Sequence, residues 1–284
     1  MGSRYLTDLA NVVRGAGITV QEEPGWQTRS RSSGGYDSGR PNHVMAHHTA
    51  SGPSSDGQAD VNYMVYGSEN RPVANLYLSR SGKVWIMAAG ATNTNGQGHD
   101  PCGLTPNDSM NTHAIGIEAA NNGTGEPWPT VQQDIYVRLV NVLCGHYGIP
   151  VGRVHSHFEW APDRKIDPAG QSRYASGGNK WNMNAFRGDV ANAGGTTPVP
   201  PPLEESEMLL KFVVTDSKTP GAQYVANGIW YRHIDNTTAL GALDLFMSIN
   251  GHDTKVNQIS KAQIDCMGAY IQDNGTIGGA NPYL

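Results

Sequence analysis

The chain has 284 residues, of which 16% are charged, with 35 glycines, 17 prolines and a net charge of −5. That length supports one large domain plus a small one without covalent staples, and the glycine and proline content points to short elements joined by many loops rather than a helical bundle. A negative balance with no Lys/Arg cluster excludes nucleic acid as the main partner, because phosphate binding needs clustered positive charge.

The start, Met-Gly-Ser-Arg-Tyr-Leu-Thr-Asp-Leu, lacks the basic-then-apolar pattern of a secretory signal, and no run approaches the ~18 apolar residues of a membrane span. The expectation is a soluble protein made in a cytoplasm, with no membrane insertion. Tyr5 to Gly15 has apolar residues at Leu6, Leu9, Val12 and Val13, the spacing of a short amphipathic helix that ends at Gly15. Pro24 to Arg40 is rich in Gly, Ser and Arg without periodicity and reads as a surface loop.

His43 to His48 reads as a short buried strand ending in adjacent histidines, and alternation lets only one of His47 and His48 face a given site. A helix is expected over Asp56 to Tyr66. The strands Val73 to Ser79 and Lys83 to Met87 flank Arg80-Ser81-Gly82, with Gly82 suited to the tight turn of a hairpin. His113 to Ala120 is an apolar strand carrying one carboxylate, Glu118, an expensive place for an unpaired charge. An outward-facing Glu on a half-buried strand is the plainer alternative, and alternation alone leaves both open.

Val131 to Tyr147 is the longest helical pattern, with Ile135, Leu139, Val142 and Leu143 as its stripe and Gly148 closing it. The stretch His155 to Gly170 holds two imidazoles, a lysine and several carboxylates. Pro162 and Pro168 prevent one regular helix, so a strand end and a rigid loop must present these groups. His155 is expected to share a strand face with His157. A helix over Trp181 to Ala193 completes the unit, and alternating strands and helices with a hairpin among them predict an α/β fold: a central mixed sheet flanked by helices.

Gly194 to Glu207 runs from glycines through four prolines to acids and reads as a semi-rigid linker. The expected organisation is residues 1–193, a linker over 194–207, and a small α+β domain over 208–284. In that last part a strand is expected over Leu210 to Thr215, a hairpin through Tyr224 to His233, and helices near Thr238 to Met247 and Ile259 to Ile271. Asn227 to His233 mixes aromatic and polar groups suited either to a carbohydrate surface or to a strand core. The three cysteines, Cys102, Cys144 and Cys266, are widely spaced and odd in number, so no disulfide framework is expected and a cysteine-only zinc site is excluded. Cys144 lies in an apolar helical run and reads as core.

Three separated pieces share a chemical logic. His47 ends a strand, His157 and Asp167 lie on a loop, and Glu118 interrupts an apolar strand. Hydrolytic zinc takes three such ligands and leaves one position for water. A carboxylate can then take the proton, and a cation such as Lys165 can face the developing oxyanion. At Met-Ala-His-His-Thr-Ala, Ile-Gly-Ile-Glu and His-x-Glu-x-Ala-Pro-x-Arg-Lys-x-Asp-Pro-x-Gly the sequence resembles the zinc-dependent N-acetylmuramoyl-L-alanine amidases of the type-2 amidase and peptidoglycan-recognition-protein fold, including many phage endolysins. The resemblance covers roughly Asn42 to Ala175.

It implies His47, His157 and Asp167 as ligands of Zn2+, Glu118 as general base and Lys165 as the oxyanion-stabilising lysine, with His155 the rival ligand. It further implies cleavage of the amide between N-acetylmuramic acid and L-alanine in bacterial peptidoglycan. The tail is similar to small C-terminal modules of endolysins from phages of actinobacteria and is expected to hold the host cell wall, and the lack of a signal implies release through a separate holin. The same fold also serves recognition modules without catalysis, and a zinc peptidase acting on cross-links is the other alternative. Two departures stand out. Thr94-Asn95-Gly96 replaces the His-Ala-Gly segment of many relatives, and the tyrosine some carry before the hairpin has no counterpart, with Ala74 and Asn75 in that region and Tyr77 beyond. Glu159, Asp163 and His113 read as orienting groups or solvated ones.

Overall fold

The computed structural model describes residues 4–37 and 39–193, and beyond them only the strands 210–214, 223–226, 231–233, 256–259, 270–271 and 277–278. Contacts divide the chain into two units, Met1–Val199 and Pro200–Leu284. The expected linker over 194–207 lies outside the described residues.

In the first unit the elements are α1 (Leu9–Gly15), β1 (Val20–Glu22), β2 (His43–His48), α2 (Gln58–Asn62), β3 (Leu76–Leu78), β4 (Val84–Ile86), β5 (Ala114–Ala119), α3 (Thr130–Tyr147), β6 (Val154–Ser156), α4 (His157–Trp160) and α5 (Met183–Asn192). The strands form a six-stranded sheet in the order β1-β4-β3-β5-β2-β6. Only the β3–β4 pair is antiparallel, so the sheet is mixed as the alternation of elements implied. β2 and β5 are buried at every position, as central strands covered on both faces should be.

Alternation sorts their side chains. Val44, Ala46, Ile115, Ile117, Leu76 and Leu78 join the core shared with α1, α3 and α5. His43, Met45 and His47 of β2 point the other way, as do Glu118 of β5 and Tyr77 of β3. Register places His47 beside Glu118 and Glu118 beside Tyr77, a polar row across three strands. Gly82, at φ 84°, makes the tight turn expected between β3 and β4.

The buried stripe of α3 is rotated from the expected one. Tyr136, Leu139, Val140 and Leu143 are buried, while Ile135 and Val142 are only half-buried. Tyr136 decides the rotation, because its ring packs against Trp181 and Phe186 and its hydroxyl reaches the sheet. The expected helix over 56–66 is a short α2 continued by one π-turn over Tyr63–Gly67. The three-residue β1, inserted beside β4, carries no alternation and was missed. Cys144 is a buried free thiol, as expected, but Cys102 is disulfide-bonded, which corrects the expectation drawn from cysteine spacing.

In the second unit, β7 (Leu210–Val214), β8 (Gln223–Ala226), β9 (Tyr231–His233) and β10 (Val256–Ile259) form a four-stranded sheet in the order β10-β7-β8-β9. β8 and β9 are the expected hairpin. The helix expected over 259–271 fails at both ends, since Ile259 closes β10 and Tyr270–Ile271 is a strand paired with Ile277–Gly278. The helix expected near Thr238 to Met247 lies outside the described residues.

Candidate metal centre

β2 delivers His47 to the sheet surface near its carboxyl end, and β6 stops at Ser156 so that His157 opens the one-turn α4. Ser156 caps that turn: its hydroxyl accepts from the Glu159 N–H while Glu159 accepts from the Ser156 N–H, a reciprocal capping box. The chain then loops to Asp167. His48 faces the opposite way, and its Nδ1 accepts from the Ala169 N–H at 3.0 Å, tying the strand to the loop just past Asp167. Gly123 leaves room for this histidine, because a Cβ there would lie 2.2 Å from the ring.

His47, His157 and Asp167 converge. His47 Nδ1 lies 3.0 Å from His157 Nδ1 and 3.0 Å from Asp167 Oδ2, and His157 Nδ1 lies 3.1 Å from the same oxygen. All three residues are buried. Their outer ring nitrogens are both occupied by one residue: His47 Nε2 donates to Asn95 Oδ1 at 3.2 Å and His157 Nε2 donates to the Asn95 carbonyl at 2.8 Å. With both Nε2 atoms carrying hydrogen, the neutral imidazoles offer only lone pairs at Nδ1. Two lone pairs and a carboxylate oxygen then face one another with no donor among them, which calls for a cation.

Donor chemistry and spacing fit a small divalent ion, since a tetrahedron with arms of about 2.0–2.1 Å has edges of ~3.3 Å. The set of two imidazoles and one carboxylate suits zinc, as the fourth position stays open. The two imidazoles shift in opposite directions: burial holds His157 down at about 4, whereas for His47 burial is outweighed by the Asp167 and Glu118 carboxylates, which raise it. Burial works against ionised Asp167, but its close contacts with the His157 and His47 rings hold its carboxyl well below the usual range.

Glu118 is adjacent in the sheet. Burial pushes its carboxyl up to about 7, with the His47 and Lys165 charges opposing and the Asp167 charge adding. One of its oxygens, Oε2, has no hydrogen-bond partner among the described residues. Half-buried Lys165 follows α4 and acts on Glu118 through its charge. Beside Glu118 opens a cleft of about 460 Å³ lined by Thr49, Ser51, Asp60, Tyr63 and Val73 among others.

Residues 37–170 match the family model for N-acetylmuramoyl-L-alanine amidase. Among solved structures, the chain is similar to a selenomethionine AmpD derivative at 18% identity, covering 61% of this chain and 94% of that one with a TM-score of 0.44. It is similar to the amidase AmiD from E. coli at 21% identity, covering 54% and 61% with a TM-score of 0.38. LysC from Clostridium intestinale URNW shows 16% identity over 61% and 97% with a TM-score of 0.42. No curated protein matches.

The matched residues carry five strands of the mixed sheet, β2 to β6, and the buried cluster able to hold a metal. His155, expected on one strand face with His157, is not beside it. The strand ends between them, and His155 instead joins His43, Asp100 and Cys102 in a second buried cluster. Asn95 enters the sequence reading only as part of the Thr94-Asn95-Gly96 departure, because an amide in a glycine-rich loop carries no signal of a role behind the cluster. Gly116 gives it its place: a Cβ there would meet Thr94 Oγ1 at 2.2 Å, so the glycine in Ile-Gly-Ile-Glu lets the Thr92–Asn95 segment lie on β5. Tyr77 lies in register with Glu118, but its hydroxyl donates to Asp56 at 2.6 Å and Asp60 at 3.0 Å. Glu159 pairs with Arg187 at 3.1 Å, and His113 Nδ1 meets the Ser109 carbonyl at 2.9 Å, so both orient neighbours as expected, while Asp163 is exposed.

Proposed function

We propose that the chain is a zinc-dependent peptidoglycan amidase of the phage endolysin type, hydrolysing the amide between N-acetylmuramic acid and L-alanine. The observation that carries this reading is the closed set of acceptors: His47, His157 and Asp167 within 3.1 Å of one another, with Asn95 fixing both histidines from behind. His47, His157 and Asp167 hold the zinc, which when bound supplies Lewis-acid activation of water and carbonyl.

The chain's own groups do the rest. Glu118 takes the proton as water adds to the carbonyl carbon and returns it to the departing L-alanine amine, a role suited to a carboxyl poised at about 7. Lys165 places positive charge where the carbonyl oxygen gains negative charge. The cleft beside Glu118 seats the substrate, and its buried Asp60 is restrained by Ser51 at 3.0 Å and by Tyr77. The second unit holds the enzyme on the host wall, and a separate holin lets the protein reach it.

Digestion of purified peptidoglycan with and without a zinc chelator tests this. Chelator-sensitive release of N-terminal L-alanine with no new reducing ends is expected. New termini at another residue would make the protein a cross-link peptidase, and no release from any wall type would make it a recognition module.

A further inference from the structure

The second cluster lies on the same sheet face as the first, at the other end of β2. His43 and His47 flank Met45 on that face, about 13 Å apart along the strand at ~3.3 Å per residue. Met45 packs with Met110, Ala114 and Trp160, an apolar plug between the two groups. His43 comes from β2, His155 from β6, and Asp100 and Cys102 from the loop before β5. All four are buried, and one donor atom from each lies within 4.8 Å of the others.

The hydrogen bonds leave this group incomplete. His43 Nδ1 meets Asn42 Oδ1 at 2.7 Å, which fixes the hydrogen there and leaves Nε2 as a bare lone pair. That Nε2 is fully buried, has no hydrogen-bond partner among the described residues, and faces Asp100 Oδ2 at 3.4 Å, acceptor against acceptor. His155 Nε2 lies 3.2 Å from Cys102 Sγ and 3.9 Å from Asp100 Oδ1. Asp100 itself is held rigidly, accepting from the N–H groups of Cys102, Leu104 and Thr105 at 2.9–3.0 Å.

We propose that, once the Cys102 disulfide is reduced, His43, Asp100, Cys102 and His155 bind one zinc ion at a second, structural site. Two neutral imidazoles, one carboxylate and one thiolate balance a divalent cation to zero net charge, which suits complete burial. A dithiol reductant opens the disulfide, transferring two electrons and two protons to its sulfurs and becoming a disulfide itself. Zinc then takes Cys102 as thiolate and releases that proton. The oxidised and metal-bound states of Cys102 therefore exclude one another.

Cobalt tests this, because a thiolate ligand gives it a sulfur-to-metal charge-transfer absorption that the His47–His157–Asp167 set cannot produce. The full-length protein is stripped of metal, reduced with dithiothreitol, desalted without oxygen and titrated with cobalt. Two ions per chain and the charge-transfer band are expected. Cys102→Ser and His155→Ala should each abolish the band and leave one ion, whereas His47→Ala with Asp167→Ala should keep the band and lose the other ion. A reduced protein with a titratable Cys102 thiol but no band, or a band that survives Cys102→Ser, would overturn the proposal. Failure of the amidase reading would leave the band unchanged.

Discussion

Asn95 holds two of the proposed ligands at once. Its side chain accepts from His47 and its carbonyl from His157, and that carbonyl also accepts from Arg164 at 2.7 Å. Asn95→Ala should therefore weaken zinc binding by about 10–100-fold, measured by chelator competition, without touching a ligand. Glu118→Ala should leave zinc bound and lower turnover by about 10²–10⁴-fold, and full activity in that variant would remove Glu118 from the mechanism. The sign of its pH effect follows from its state as a base. Only the carboxylate accepts a proton, so kcat/KM falls as pH drops through its pKa. Burial sets that value at about 7 and a bound cation can only lower it, so the acidic limb of the pH–rate profile should lie at or below about 7. A limb well above that would assign it to another group.

Elements carry the site through a few contacts that sequence pattern does not advertise. The Tyr136 hydroxyl accepts from the His47 N–H at 3.0 Å and lies 3.2 Å from the His47 carbonyl and 3.3 Å from that of Ile117, joining α3 to β2 and β5 beneath the metal ligands. Tyr136→Phe leaves those buried groups unsatisfied and should cost about 1–3 kcal/mol in denaturant unfolding. β2 and β5 were legible because unbroken apolar runs end in, or are interrupted by, residues too polar for a core. The hairpin was legible because Gly82 supplies its turn. The helix stripe was misread because Tyr136 counts as amphipathic in a pattern yet is fully buried on α3. His155 and His157 were grouped because alternation was extended through a strand that Ser156 terminates, and a cap is invisible to a period of two.

At the scale of the molecule, a second unit that tethers the chain to the wall, as proposed, should contribute to wall affinity and not to turnover. Residues 1–199 alone should process soluble muropeptides at the full-length rate, while their rate on intact walls falls by up to ~10²-fold. Equal rates on intact walls would mean that the second unit does not act as a tether. The convergence of His47, His157 and Asp167 was legible because a hydrolytic metal site restricts residue types so tightly. The supporting loop was not, since Asn95 and Asp100 act through hydrogen bonds that no spacing in the sequence announces. That loop has a further consequence. Asn95 serves one buried cluster and Asp100 the other, so the loop is anchored at both positions and has no slack. A library of single-residue insertions should be rejected between Asn95 and Asp100 yet accepted at exposed Gly52–Ser54 near the cleft. The rim of the cleft therefore has room for change, and the loop behind the His47–His157–Asp167 cluster has almost none.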